Sequence, residues 1–280
     1  MRNLYGVLIL FLLVSSAAGQ ENYILFFDQP MADEEKILLI DELNSFDQRL
    51  SIFFKQIKES KTRIYFKKTL PGNRFPEWGV GFFVSNENAI YLQMRSYSNR
   101  ETFYRVMRHE IVHAWIDDFV KREKHWPLWF EEGLCDYLSG RRIDFQDAQR
   151  LSIALTNNNI ISLDSLTFLP LNHPYKIQYF YLQSFFIVQL LAEEGILNNL
   201  VFSKSWSLND FNIPRFSDWI DFEIWWQTEL ENRYKWYIFL NFESAFAILI
   251  VILFPLAYIS KIIQMRKRKK ELSDLDEKYL

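Results

Sequence analysis

The chemistry of this chain is concentrated in His109-Glu110-Ile111-Val112-His113. Two histidines four positions apart share one face of a helix, so both imidazoles can bind a single metal ion. The glutamate between them is placed to take a proton from a water that such an ion activates. A hydrolytic zinc site needs three protein ligands and keeps one position open. The third ligand is sought in Trp129-Phe130-Glu131-Glu132-Gly133. Glu131 and Glu132 lie about 100° apart around a helix, so only one of them can face the ion. Asp136 favours Glu132, because it lies one turn further along the same face, whereas Glu131 shares a face with Cys135. A carboxylate at position 136 can accept the outer N–H of a ligating histidine and fix its tautomer. The expectation is one Zn2+ per chain, held by His109, His113 and Glu132. Glu110 is the general base, and Asp136 supports a ligand from behind. The chain has only four histidines and places two of them in the motif, which an ordinary surface helix would not require.

These residues need helices to hold them. The pattern predicts a helix over Glu101–Lys121 and, after Trp126-Pro127, a second over Leu128–Ser139 that stops at Gly140. Further helices are expected over Phe145–Leu155, Tyr175–Glu194, Asn198–Trp206 and Ser217–Leu230. Ahead of the motif, apolar residues at helical spacing and the acidic start Asp33-Glu34-Glu35 predict a helix over Asp33–Ile57. Strands are expected at Thr62–Thr69, Gly79–Val84 and Ala89–Met94, the last two as a hairpin. The fold class is therefore α+β: a small, mostly antiparallel N-terminal sheet, then a mainly helical part, then a C-terminal transmembrane helix.

Both ends of the 280-residue chain are apolar. Residues 1–19 read as a signal peptide: Arg2, an apolar run over Leu4–Val14, and small residues at Ser15–Gly19 for cleavage after Ala18 or Gly19. An uncleaved anchor is the alternative. Ala245–Ile263 is apolar and reaches about 28 Å as a helix, close to the thickness of a hydrocarbon core. Trp236 and Tyr237 precede it as an aromatic belt, and Arg266–Lys270 follows it. By the positive-inside rule that basic end is cytoplasmic. The expected organisation is a signal over 1–19, a peptidase domain over 20–236, a span over 244–263 and a charged cytoplasmic tail over 264–280. The protein then crosses the membrane once, with its catalytic domain on the periplasmic or extracellular side and lipid as a partner of the C-terminal helix. Acidic residues outnumber basic ones outside the tail, and no basic face is interleaved with aromatics, which excludes nucleic acid as a partner. The single cysteine, Cys135, rules out an intrachain disulfide and reads as a buried small hydrophobe.

The motif and the tryptophan-led Glu-Gly segment resemble the gluzincin zinc peptidases, which include thermolysin-like and aminopeptidase N-like enzymes. The likeness is greatest to the small peptidase MA-like domains of bacterial envelopes, over roughly Thr62 to Gly195. That resemblance implies a zinc peptidase acting on a peptide or protein. It also implies an oxyanion donor: Tyr181-Leu182-Gln183-Ser184 is similar to the Tyr-x-x-Gly of aminopeptidase N-like enzymes, with Ser in place of Gly. Tyr181 is the candidate for that role, with Tyr175 and Tyr179 close by and His173 as another option. No Gly-x-Met-Glu-Asn segment precedes the motif, which argues against aminopeptidase specificity. In related folds the strand before the active-site helix pairs with an extended substrate, and Ala89–Met94 is expected to be that edge strand. Two rival functions share these ligands: an inactive metal-binding relative serving as a membrane adaptor, and a zinc amidase acting on cell-wall material. Glu110 argues against the first.

Overall fold

The computed structural model describes residues 22–72, 75, 79–94, 99–120, 126–170, 174–203, 213, 215–240 and 242–278. The signal segment and His173 lie outside the described residues. The chain divides into two compact units, residues 1–123 and 124–280.

The first unit is built from β1 (Tyr23–Phe27), α1 (Asp33–Phe54), β2 (Thr62–Lys67), β3 (Gly81–Val84), β4 (Ala89–Gln93) and α2 (Arg100–Val120). The strands form one sheet in the order β1-β2-β4-β3. β1 pairs with β2 in parallel, β2 with β4 in parallel, and only β3 with β4 is antiparallel. The expected mostly antiparallel sheet is thus corrected to a mixed one, for two reasons. β1 was not anticipated, and helix α1 carries the chain back so that β2 runs in the same direction as β1. In addition, β4 lies between β2 and β3, so the two strands consecutive in sequence are not neighbours.

Alternation along β2 and β4 turns Ile64, Phe66, Ile90 and Leu92 inward, where all are fully buried, while exposed Arg63 faces the other way. On α1 the buried residues Leu39, Leu43, Phe46, Leu50 and Phe54 recur at helical spacing. The helix ends where Lys55 adopts a left-handed conformation (φ 52°). Phe54 stacks on Trp115 of α2 (5.7 Å between centroids) and meets Phe119, and Phe66 of the sheet meets Phe103 of α2. Rings this deeply buried each contribute about 1.5–3 kcal/mol through burial.

The second unit is helical: α3 (Leu128–Ser139), α4 (Phe145–Thr156), α5 (Pro174–Glu193), α6 (Leu197–Phe202), α7 (Trp219–Tyr234), a 3-10 helix (Lys235–Leu240) and α8 (Phe242–Lys278). Local chemistry sets the boundaries. Asp144 and Asp218 cap α4 and α7 by accepting from the backbone N–H of Asp147 and Asp221, each at 2.8 Å. α5 opens on Pro174, and Gly195 follows it with φ 71°. Gly140 closes α3 with φ 87°. Trp129, Phe222 and Trp219 cluster beside Phe130, and α3 packs along α5. α8 is continuous for 37 residues through Pro255, and Leu249–Lys269 is long and apolar enough to cross a membrane, with none of it buried in the protein.

Candidate metal centre

Helix α2 sets His109 and His113 one turn apart, both half-buried. Their Nε2 atoms stand 3.3 Å apart, with the rings inclined at 68°. Two nitrogens bound to one tetrahedral zinc at 2.0–2.1 Å lie about 3.3 Å from each other, so this pair fits that ion. Convergence of two imidazole nitrogens on one point is the arrangement a shared ion requires.

The helix is braced on either side of this pair. Arg108 Nε donates to Glu42 Oε1 of α1 at 2.7 Å, immediately before the motif. Trp115 Nε1 donates to Asp47 Oδ1 at 3.0 Å, immediately after it. The hydroxyl of Tyr23 donates to the same Asp47 oxygen at 2.6 Å, which ties β1 into the brace. Burial, followed by the neighbouring Asp47 carboxylate, raises the Tyr23 phenol well above its ordinary pKa, so it stays a donor. Further along α2, Asp117 accepts from the Ser85 hydroxyl at 2.5 Å, linking the helix to the β3–β4 turn.

Glu110 is buried, at 7% exposure. Its side chain runs against Gly81 of β3. A Cβ added to Gly81 would sit 2.7 Å from Val106 Cγ1 and 3.1 Å from both Cγ and Oε1 of Glu110. The strand therefore approaches the candidate base through a position that has room only for hydrogen. Among the described residues β3, like β1 at the other end of the sheet, pairs with a strand on one side. Ala89–Gln93, the expected edge strand, is paired on both sides and lies inside the sheet. The correction follows from the same insertion of β4 between β2 and β3.

In the second unit, α3 carries half-buried Glu131 and Glu132, fully buried Cys135, and Asp136 at 8% exposure. Arg141 donates to Asp136 Oδ2, reaches Asp147 at 3.6 Å and lies over the Phe185 ring. Sequence reasoning missed Arg141, although a cation just past the helix terminus was a readable signal. It also missed what Gly133 is for. A Cβ there would collide with the backbone carbonyl of Ser184 on α5, so glycine lets α3 and α5 meet backbone to backbone. Tyr181 is half-buried, one turn before Ser184, with its ring edge-on to Phe180. The α3–α5 crossing thus brings together the turns that carry Glu132 and Tyr181. His109, Glu110 and His113 belong to the first unit; Glu132, Asp136 and Tyr181 belong to the second.

Residues 75–178 match the model of the peptidase family M1 domain. The match is to a zincin-type metallopeptidase family and is consistent with a gluzincin-like domain. The match takes in β3, β4, the paired histidines, Glu110 and the acidic helix α3, and it ends just before Tyr181. No curated protein and no solved structure matches the chain. This partial match supports a zinc metallopeptidase in general, a family of hydrolases whose substrates are peptides.

Proposed function

We propose that the protein is a membrane-anchored peptidase that works outside the cytoplasm, with zinc held by His109, His113 and Glu132. The observation that carries this reading is the 3.3 Å approach of the two histidine Nε2 atoms, with the buried carboxyl of Glu110 on the same helix. A zinc ion held there would supply Lewis acidity and bring a water pKa down toward about 7. Glu110 takes the proton of the attacking water at its carboxylate and delivers it to the departing amine. Tyr181 donates a hydrogen bond to the carbonyl oxygen as that atom gains charge. The outer edge of β3 aligns an extended peptide by backbone pairing, with Gly81 leaving space beside Glu110. Asp136 steadies a ligand, and its pairing with Arg141 holds the carboxylate in orientation. Anchoring is assigned to the apolar part of α8, with the basic run after it on the cytoplasmic face.

The test is a peptide-library cleavage assay on the wild type and Glu110→Gln, paired with metal analysis. Glu110→Gln should keep about one zinc per chain and lose hydrolysis by at least 10²-fold, the range for a removed general base. His113→Ala should lose both metal and activity. Turnover that survives in Glu110→Gln would sink the assignment of the base.

A further inference from the structure

The junction between the second unit and its apolar helix is short. The 3-10 helix Lys235–Leu240 ends one residue before α8 begins at Phe242. The apolar run opens at Ala245, so at 1.5 Å per residue Phe242 stands only about 5 Å above the hydrocarbon boundary. Headgroups occupy about 5–8 Å on each side of a bilayer, which puts the end of the 3-10 helix at headgroup depth. On that helix Trp236 and Phe239, three positions apart, form a ring pair with centroids 5.9 Å apart. They are 64% and 49% exposed. Two large exposed rings are poorly placed in water, whereas an indole beside headgroups is well placed, with its apolar body in the chain region and its N–H at the wet boundary. Lys235 Nζ lies 5.7 Å over the Trp236 ring and brings a cation to the level of lipid phosphates.

The same helix is fastened to the unit behind it. Ser152 of α4, fully buried, donates through its hydroxyl to the Lys235 carbonyl at 3.1 Å. Its oxygen also accepts from the Ile238 backbone N–H at 2.9 Å. One side chain therefore closes two backbone positions of the junction onto the helical unit.

We infer that the second unit docks on the lipid surface: Trp236 and Phe239 seat in the headgroup layer, and Ser152 makes the junction a rigid mount. This inference rests on the assignment of α8 as a membrane span. The occupant is lipid because only five residues separate the ring pair from the apolar run that opens at Ala245. A rigid mount confines this unit, with Glu132 and Tyr181, to the neighbourhood of the bilayer.

The test uses the full-length protein carrying Cys135→Ser, reconstituted in vesicles of phosphatidylcholine and phosphatidylglycerol. Single nitroxide labels are placed at Trp236→Cys, Phe239→Cys, Val251→Cys within the span and Phe168→Cys as an exposed site. Collision with oxygen is compared with collision with a water-soluble nickel chelate. Docking predicts a ratio at 236 and 239 shifted several-fold toward oxygen relative to 168, and short of that at 251. If 251 is lipid-like while 236 and 239 behave as 168 does, the docking is overturned and the anchor stands. If 236 and 239 are shielded from both reagents, a protein surface covers them, and the lipid assignment is overturned. If 251 itself is water-like, the anchor fails and the docking falls with it. For the rigid mount, Ser152→Ala should speed hydrogen exchange of the Ile238 amide several-fold in the same vesicles; unchanged exchange overturns that part.

Discussion

Gly81 and Glu110 are in such close register that a methyl group on the glycine would stand 3.1 Å from the Oε1 atom of the glutamate. The strand edge and the candidate base are therefore one device. The strand can pass the Glu110 carboxyl only because residue 81 has no side chain.

Gly81→Ala should displace the Glu110 carboxyl by a few tenths of an ångström or more, since Val106 Cγ1 at 2.7 Å closes the other side. Small displacements of a catalytic group cost up to about 10²-fold in rate. The expected result is a kcat lower by roughly ten- to a hundred-fold with zinc content unchanged. A variant with wild-type kcat would mean that Glu110 has more freedom than this contact implies.

Of the carboxylates on α3, Glu132 is the expected ligand. Glu132→Gln should weaken zinc binding about 10²-fold or more in a competition assay with a chelator, while Glu131→Gln should change it little. Cys135→Ser is the informative companion, because a buried thiol is also a competent zinc donor. Retention of zinc in Cys135→Ser together with its loss in Glu132→Gln is the outcome this assignment requires, and the reverse pattern would move the third ligand to sulfur.

Gly133→Ala should destabilise the second unit by about 1–3 kcal/mol, the range for forcing extra volume into a closed packing contact. The added carbon meets the Ser184 carbonyl and Val188 Cγ2 together. Gly72→Ala is the matched control, since nothing lies within 4 Å of a Cβ there. Thermal unfolding of both variants checks the pair, and equal melting temperatures would remove the close crossing from the account.

Lys58 makes stability depend on pH. Its ammonium is buried, at 2% exposure, and donates to Ser60 Oγ at 3.1 Å. Burial lowers its pKa from the ordinary lysine value, and Asp118, Asp47 and Asp117 offset part of that shift. With the folded pKa below the unfolded one, the unfolded chain holds more protons between the two values. Stability from this group should therefore rise with pH across that window and be flat below it. Urea unfolding from pH 7 to 10 should show this rise in the wild type and lose it in Lys58→Met. Parallel profiles for the two proteins would rule it out.

Much of the candidate site was legible because its signals are local. The four-residue spacing of His109 and His113 and the charge between them are properties of one helix. The bounds of α3 were readable because Pro127 and Gly140 act on their own turns. The apolar length of α8 and its basic flank are likewise properties of a single segment.

What the sequence left out is non-local. β1 is an exception, since Tyr23–Phe27 is a run of β-forming residues ended by Asp28-Gln29-Pro30 and carried a local strand signal that was missed; only its parallel pairing with β2 is non-local. The strand order could not be read from adjacency, because β4 inserts between β2 and β3, and this puts Gly81–Val84 rather than Ala89–Gln93 at one end of the described sheet. The bracing of α2 by Glu42 and Asp47 links positions more than sixty residues apart. Gly81 and Gly133 looked like ordinary glycines until the atoms that a Cβ would strike were in place. The sequence by itself determined which side chains this protein can offer to a metal, because spacing along one helix settles which groups share a face. Only the tertiary structure decided which strand passes Glu110 and which contacts hold the helix, because those depend on packing between segments distant along the chain.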